Sequence, residues 1–372
     1  MPTGPMTTYD LTVGVQLEVE DLIYVISPFD VPLLGGNGSD GRTVLSQDTI
    51  YEKKIEWLDE TLLTPRTTLG ATYVTADAYI TVASGDREKF QTGDVILTRA
   101  EYMRVTGYGT TADTLLVTRA YSGTATNAGV VGDQIVGVGS ALPEGTDPPS
   151  ARTKDRTNRF NYTEIFGPYQ VQVSETENVV RKYGLPMSEF DYQIGNRTKE
   201  AMVAIEQALL YGTRAEDSTN RWRTMGGMTF YITTNVDSST TTLTETLLLN
   251  QLEAAFNAGG NPDRIVVNPS QKRNISQFGS SNIRYVQDTN VRGQTVDFYE
   301  SDFGQVSLVI DRWCRKQDMF IFARDQATVL TLRPLVFEML AKTGDSIKGQ
   351  VVGEKSFSFH REAWAARFSA LT

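Results

Sequence analysis

The chain has 372 residues, 40% apolar and 22% charged, enough to bury a real core in two or three domains or in one fold with long insertions. A net charge of −10 argues against general nucleic-acid binding, which needs a basic field to release counterions. A single cysteine, Cys314, and a single histidine, His360, exclude an intrachain disulfide, a multi-cysteine zinc site, and most histidine-based triads and zinc centres. Carboxylate-only chemistry survives that cut. No apolar run approaches the ~18 residues of a membrane helix, and MPTGPMTTYD lacks the basic and apolar regions of a secretion signal, so the protein is expected to stay where it is made.

Along the chain, Asp10, Glu18, Glu20, Asp21, Asp30 and Asp40 precede the first basic residue, Arg42. Within this acidic stretch Val19, Leu22, Ile23 and Ile26 recur at the spacing of one helix face. Pro28 stops that helix, Pro32 keeps the chain extended, and GGNGSDG at 35–41 is a loop. So short a helix cannot stabilise itself. It must dock, either on its own domain or as an arm on a neighbouring subunit.

Thr49–Leu58 alternates as a strand, with Tyr51, Ile55 and Trp57 on one side and Glu52, Lys54 and Glu56 on the other. FNYTEIFG at 160–167 alternates likewise, and the two are expected to form a long hairpin. Between them, Gly70–Leu142 holds short apolar runs (79–82, 95–97, 102–105, 115–117, 134–138) separated by Gly, Asp, Thr and Ser turns, which predicts an all-β module. TGDVI at 92–96 returns loosely as VGDQI at 131–135, a weak hint of a repeat. RTKDRTNR at 152–159 concentrates Arg152, Lys154, Arg156 and Arg159 against one acid. That run is either a solvated turn or a docking patch for an acidic surface, such as the base-free arm of another copy.

Ser188–Tyr211 predicts the clearest helix. Ser188 can cap it, Phe190, Ile194, Ala201, Met202, Ile205, Ala208 and Leu209 line one stripe, and Gly212 ends it. Its length is roughly 36 Å, suited to a spine. Thr224–Asp325 reads as mixed α/β: helices at Thr244–Ala258 and Ser270–Phe278, strands at Arg264–Val267, Val296–Tyr299, Val306–Ile310 and Met319–Phe322. Thr328–Leu340 and Val351–Phe359 are strands that would return to the spine helix. His360, in SFSFHREAW, reads as a strand-surface residue.

Motifs that carry chemistry are scarce. GGNGSDG lacks the Lys-Ser/Thr ending of a phosphate loop, and no GxSxG or HExxH occurs. The acid pairs Asp59/Glu60 and Glu300/Asp302 could in principle serve a glycosidase, but such pairs are mostly solvated surface.

Four segments in order carry a resemblance: DLIYVISPFDVPLL at 21–34, YGLPMSEFDYQIGNRTKEAMVAIEQALLYG at 183–212, NPDRIVVNPSQKRNISQF at 261–278 and LRPLVFEMLAKTGDSIKGQ at 332–350. Together they resemble the major capsid protein of tailed bacteriophages in its Hong Kong 97-like fold, with Gly184, Glu189, Gln193, Glu200, Ile205, Glu206 and Gly212 as the matching spine positions. The resemblance implies an α+β fold with a long spine helix, peripheral and axial domains, an extended hairpin loop and, here, an inserted all-β domain. It places an N-terminal arm at 1–48, the hairpin at 49–69 and 143–175, the β module at 70–142, the peripheral domain with its spine at 176–223, the axial domain at 224–325 and returning peripheral strands at 326–372.

The function so implied is a non-enzymatic shell subunit without catalytic residues, metal or cofactor, assembling in the host cytoplasm into the virion. Its partners would be further copies of itself in pentamers and hexamers, scaffolding, portal and decoration proteins, and packaged double-stranded DNA touched non-specifically, with no membrane. Arg152, Lys154, Arg156 and Arg159 facing Asp10, Glu18, Glu20 and Asp21 of another copy are the expected inter-subunit contacts. No charged N-terminal extension of the fused-scaffold type is seen, and no Lys/Asn pair matches the family's cross-link chemistry. A tail or adhesion component, and more remotely a carboxylate-dependent carbohydrate enzyme, are the competing readings.

Overall fold

The structure is a computed structural model that describes residues 27–35, 43–147, 156–180, 188–278, 283–286 and 296–372. The expected helix at 19–26, the loop at 36–41, and the acids Asp10, Glu18, Glu20 and Asp21 lie outside the described residues, as do Arg152 and Lys154. The chain divides into two compact units, 58–158 and the remainder.

In chain order, helix α1 (Pro32–Gly35) precedes β1 (Ser46–Thr49) and β2 (Lys54–Asp59). Then come β3 (Arg66–Thr68), β4 (Tyr79–Thr81), β5 (Asp94–Thr98), β6 (Glu101–Tyr108), β7 (Thr114–Thr118) and β8 (Gln134–Ser140). After β9 (Thr157–Tyr162) and β10 (Glu164–Ser174) follow α2 (Glu175–Val179), α3 (Glu189–Tyr211), β11 (Ala215–Asp217), β12 (Trp222–Thr224), α4 (Met228–Tyr231), β13 (Val236–Asp237) and α5 (Glu245–Asn257). The last third holds β14 (Arg264–Val267), α6 (Pro269–Ile275), β15 (Ile283–Val286), β16 (Val296–Ser301), β17 (Gly304–Ile310), β18 (Met319–Phe322), β19 (Ala327–Met339), β20 (Ser346–Phe359) and β21 (Ala366–Phe368). No helix among the described residues is long and apolar enough to cross a membrane.

The larger unit is organised by α3. Ser188 caps it, its Oγ accepting from the Asp191 N–H at 3.2 Å. Phe190, Ala201, Ile205, Leu209 and Leu210 form its buried stripe, the four large side chains each contributing about 1.5–3 kcal/mol. Gly212 ends it because a Cβ there would stand 2.5 Å from the carbonyl oxygens of Ala208 and Met225. The helix packs on β10 and β20 of a four-stranded sheet ordered β1-β19-β20-β10. Its core joins Leu33, Ile205, Leu209, Met228, Phe320, Phe322, Phe357 and Phe359. A seven-stranded mixed sheet, β13-β21-β18-β14-β17-β16-β15, carries a second core with α5 and α6 packed from Leu248, Leu252 and Ile275. β21 thus belongs to this sheet, and not with β19 and β20.

Two expectations change. Thr49–Leu58 is two strands in two sheets: β1 runs parallel to β19, its ladder ending at the Ile50 N–H bonded to the Thr331 carbonyl. The chain then turns and β2 pairs with β9. The second arm of the expected hairpin likewise breaks at Thr163, whose N–H bonds the Lys53 carbonyl, so that β10 pairs with β20 and only β9 faces β2. Alternation marks a strand but not its partner.

The smaller unit is a six-stranded antiparallel sheet, β3-β8-β5-β6-β7-β4, over a core of Leu69, Ile80, Phe90, Ile96, Met103, Val105, Leu115, Val117 and Ile135. The echo of TGDVI in VGDQI is one turn built twice. Gly93 and Gly132 sit at φ +99° and +92°, and Asp94 and Asp133 each accept the N–H three residues back, from Gln91 and Val130, at 2.8 Å. Local turn chemistry explains the repeat.

Candidate assembly surfaces

The segment 27–35 is the root of the N-terminal stretch, and it is bound to α3. Leu33 is buried, and the N–H groups of Leu33 and Leu34 donate to the two carboxyl oxygens of Glu206 at 2.7 and 3.0 Å. Asp30 pairs with Arg312 at 2.9 Å, its carbonyl accepts the indole N–H of Trp313 at 2.8 Å, and Lys199 sits 4.5 Å over the Phe29 ring. Glu206 is fully buried, and burial pushes its carboxyl up to about 8 against the two N–H donors that favour the charge. Beside this root a groove of about 480 Å³ runs along α3, lined by Phe29, Tyr192, Lys199, Val203 and Trp313 among others.

Three buried polar groups tie distant parts of the larger unit together. Asn161 bridges three elements: its amide N–H₂ donates to the carbonyls of Gly226 (3.0 Å) and Phe357, while its oxygen accepts from Gly226 (2.8 Å) and Tyr162 (2.9 Å). Glu354 takes Arg223, Thr163 Oγ1 at 3.2 Å and Arg333 at 3.5 Å. Glu362 accepts the N–H groups of Thr233 and Thr234 and pairs with Arg159 at 3.4 Å. Buried polar groups satisfied in this way lock one arrangement of segments.

In the smaller unit Glu101 plays the same part. It is fully buried and takes a bidentate fork from Arg119 at 2.8 and 2.7 Å, plus the N–H groups of Ala120 and Asn127. Burial raises its carboxyl, but the guanidinium and the two N–H donors outweigh it and leave the group below the usual range. Arg119 also caps the carbonyls of Val74, Asp77 and Asn127 and stacks 4.8 Å over Tyr73.

Of the basic run, Arg156 forms an exposed pair with Glu60 at 2.9 Å, and Arg159 is half-buried against Glu362. His360 stacks edge-on to Trp57 at 5.3 Å, with its N–H bonded to the Gln326 carbonyl. Cys314 is buried, and burial pushes its thiol up to about 12. Exposed apolar residues include Tyr51 at 90% exposure, with Ile55 and Trp57 half-buried and Lys54 and Glu56 exposed on the alternate positions of β2. No sequence pattern marks Glu101, Glu354 or Glu362 as a buried joint, and the resemblance marks Glu206 only as a spine position. Each is an acid within an apolar pattern, and its partner is remote in sequence.

Compared with known proteins, the chain matches the family model of the SU10 major capsid protein over residues 4–372. None of the curated proteins matches it. Among solved structures it resembles the capsid of the Myoviridae phage XM1, with a TM-score of 0.53 and 9% identity over 100% of both chains. It also resembles the capsid protein of cyanophage A-1(L), with a TM-score of 0.50 and 12% identity over 99% of this chain and 100% of that one. At such identities the likeness speaks to the fold, which is the Hong Kong 97-like capsid fold. A spine helix on a long sheet, an α/β unit beside it in sequence, and a family match from end to end agree: the chain belongs to the SU10 major capsid protein family, the structural proteins that form the icosahedral shell of a phage head.

Proposed function

We propose that copies of this chain gather as pentamers and hexamers and close into the shell through heterologous contacts, each weak alone and strong in number. The observation that carries this is the ribbon of β2 and β9, two strands with no third among the described residues, beside which Tyr51 stands at 90% exposure. Trp57 and Asn161 hold its inner end on the larger unit, while Tyr51 and Leu58 stay exposed, and a neighbouring copy is the natural cover for those side chains. On this reading 1–48 is the arm, β2 and β9 are the paired part of the hairpin at 49–69 and 143–175, and 70–142 is an inserted β domain. The peripheral domain is 176–223 with the returning strands β19 and β20 of 326–372, and 224–325 is the axial domain, whose sheet also takes β21. Scaffolding, portal and decoration proteins, and DNA held without sequence preference, complete the partners.

Arg152, Lys154, Arg156 and Arg159 are proposed to meet Asp10, Glu18, Glu20 and Asp21 of an adjacent copy. Opposite, concentrated charge in one sequence supports this, and Arg156, in an exposed pair, can exchange Glu60 for another acid at little cost. Reversing Arg152, Lys154 and Arg156 to Glu should block shells or make their assembly more salt-sensitive; normal shells would sink the contact. For the assembly itself, negative-stain microscopy and sedimentation of the chain, alone and with its genomic neighbours, should give shells, pentamers or hexamers. A monomer or slender trimer under both conditions would overturn it.

A further inference from the structure

The junction of the segment 27–35, α3 and the turn after β17 gathers three acids, of which Glu206 and Asp311 are buried and Asp30 is exposed and paired with Arg312. Glu206 is fully buried, with its oxygens on the Leu33 and Leu34 N–H groups. Asp311 is fully buried too: its Oδ1 accepts the Trp313 N–H at 2.8 Å, and its Oδ2 has no hydrogen-bond partner among the described residues. Asp30, on the docked segment itself, is the third carboxylate acting on both. Of the cations, Arg312 is spent on Asp30 and Arg315 on Asp318, and Lys199 lies over the Phe29 ring. Cys314, held neutral by burial, lies near Asp311, and the Tyr211 hydroxyl reaches its sulfur at 3.9 Å. Among the described residues no cation is placed against Glu206, so removing its proton would put a buried charge near the buried Asp311, with Asp30 acting from the surface.

We propose that the segment 27–35 is a proton-linked clasp, which closes on α3 with uptake of a proton by Glu206 and loosens as that carboxyl ionises. With the clasp open, Glu206 is a solvated helix residue of ordinary acidity; with it closed, burial first and Asp311 and Asp30 after it raise the carboxyl from 4.5 to about 8, although the two N–H donors pull the other way. Asp311 moves in the same direction, up to about 6. The closed form therefore holds a proton that the open form has already lost. Closure is fully favoured below the open-form value and is given up as pH rises towards 8. The equilibrium should shift by up to about tenfold per pH unit across that window. Because this segment is the root from which residues 1–26 lead, the proton sets how firmly the N-terminal stretch is anchored to its own spine helix.

The test is hydrogen exchange of the Leu33 and Leu34 amides in the full-length unassembled chain from pH 5.5 to 8.5, expressed as protection factors so that the intrinsic pH dependence cancels. Protection should fall by about tenfold or more over the range in the wild type, and Glu206→Gln, which keeps an acceptor but cannot ionise, should hold it flat. Asp311→Asn, which removes the neighbouring charge while leaving Glu206 in place, should end the fall at lower pH and leave the segment better protected at pH 8 than in the wild type. That arm decides the matter if Glu206→Gln fails to fold. Flat wild-type protection, a Glu206→Gln profile that follows the wild type, or an unchanged Asp311→Asn profile overturns the clasp.

Discussion

Replacing Arg119 by Ala should unlock the β unit at 58–158. The substitution leaves the fully buried Glu101 with two backbone N–H donors and no cation, and strips the carbonyls of Val74, Asp77 and Asn127 of a donor. Breaking one partner of a buried pair costs about 3–5 kcal/mol, roughly a 150- to 5,000-fold rise in the open population. Trp57, Trp222, Trp313 and Trp364 all lie outside 58–158, so tryptophan fluorescence follows the larger unit alone. The smaller unit is read instead by hydrogen exchange of peptides spanning β5 and β6. Protection in β5 and β6 should collapse in Arg119→Ala while the fluorescence midpoint in urea stays put. The pH dependence checks the cause. In the wild type Glu101 is held below its usual range, so its contribution is present above the unfolded value and lost as pH falls through the folded one. Without Arg119 burial dominates, the carboxyl rises, and the variant should regain protection as acid neutralises it. A loss under about 1 kcal/mol, or one that deepens in acid, would refute the reasoning that the pair answers a desolvated charge.

Three further outcomes follow from other joints. Asn161→Leu leaves the Gly226 and Phe357 carbonyls and the Gly226 N–H without their side-chain partner, and should cost about 2–4 kcal/mol in urea unfolding followed by tryptophan fluorescence. Gly212→Ala puts a Cβ 2.5 Å from two main-chain oxygens and should lower the same midpoint by about 2 kcal/mol or more, while Gly195→Ala on the exposed face of α3 should stabilise it slightly. Cys314, buried with its thiol pushed up to about 12, should resist a thiol reagent at pH 8 in the native chain and react once it is unfolded, with mass spectrometry as the readout.

What the sequence made legible was whatever is local. The stripe from Phe190 to Leu209, the Ser188 cap and the Gly212 stop lie within one helix, so periodicity and cap chemistry locate α3 to within a residue. Short apolar runs between turn residues likewise find β4 to β8. Pairing is another matter. β10 meets β20 through Val171 opposite Gly349, and β1 runs beside β19, choices made by tertiary packing that no short window contains. The split of Thr49–Leu58 was hidden for the same reason. The basic run was visible as charge, but Arg156 and Arg159 find Glu60 and Glu362 only after folding. As for the surfaces, Glu206 looks in sequence like one more polar residue between Ile205 and Gln207, and only the docked Leu33 and Leu34 show why it faces inward.

The buried acids also bear on how this chain serves as a shell subunit. A carboxylate that does acid–base work must face a cleft, with a substrate proton within reach of an oxygen. Here Glu101, Glu354 and Glu362 have their oxygens committed to guanidinium, hydroxyl or backbone donors of the same chain. Glu206 is occupied by a segment 173 residues away in sequence. Each joins parts of the chain that hydrophobic packing alone would leave free to slide, since apolar contact is non-directional and a satisfied buried charge tolerates one geometry. A subunit that must present the same surface in every copy of a closed lattice depends on that uniqueness more than on total stability. Loosening one joint should therefore harm the regularity of shells before it unfolds the subunit. Arg223→Met, which deprives Glu354 of its closest cation but leaves Arg333 at 3.5 Å, is the case to examine. Its soluble chain should remain folded by circular dichroism, yet micrographs should show open or irregular shells. Uniform closed shells from that variant would mean that the joint serves stability alone.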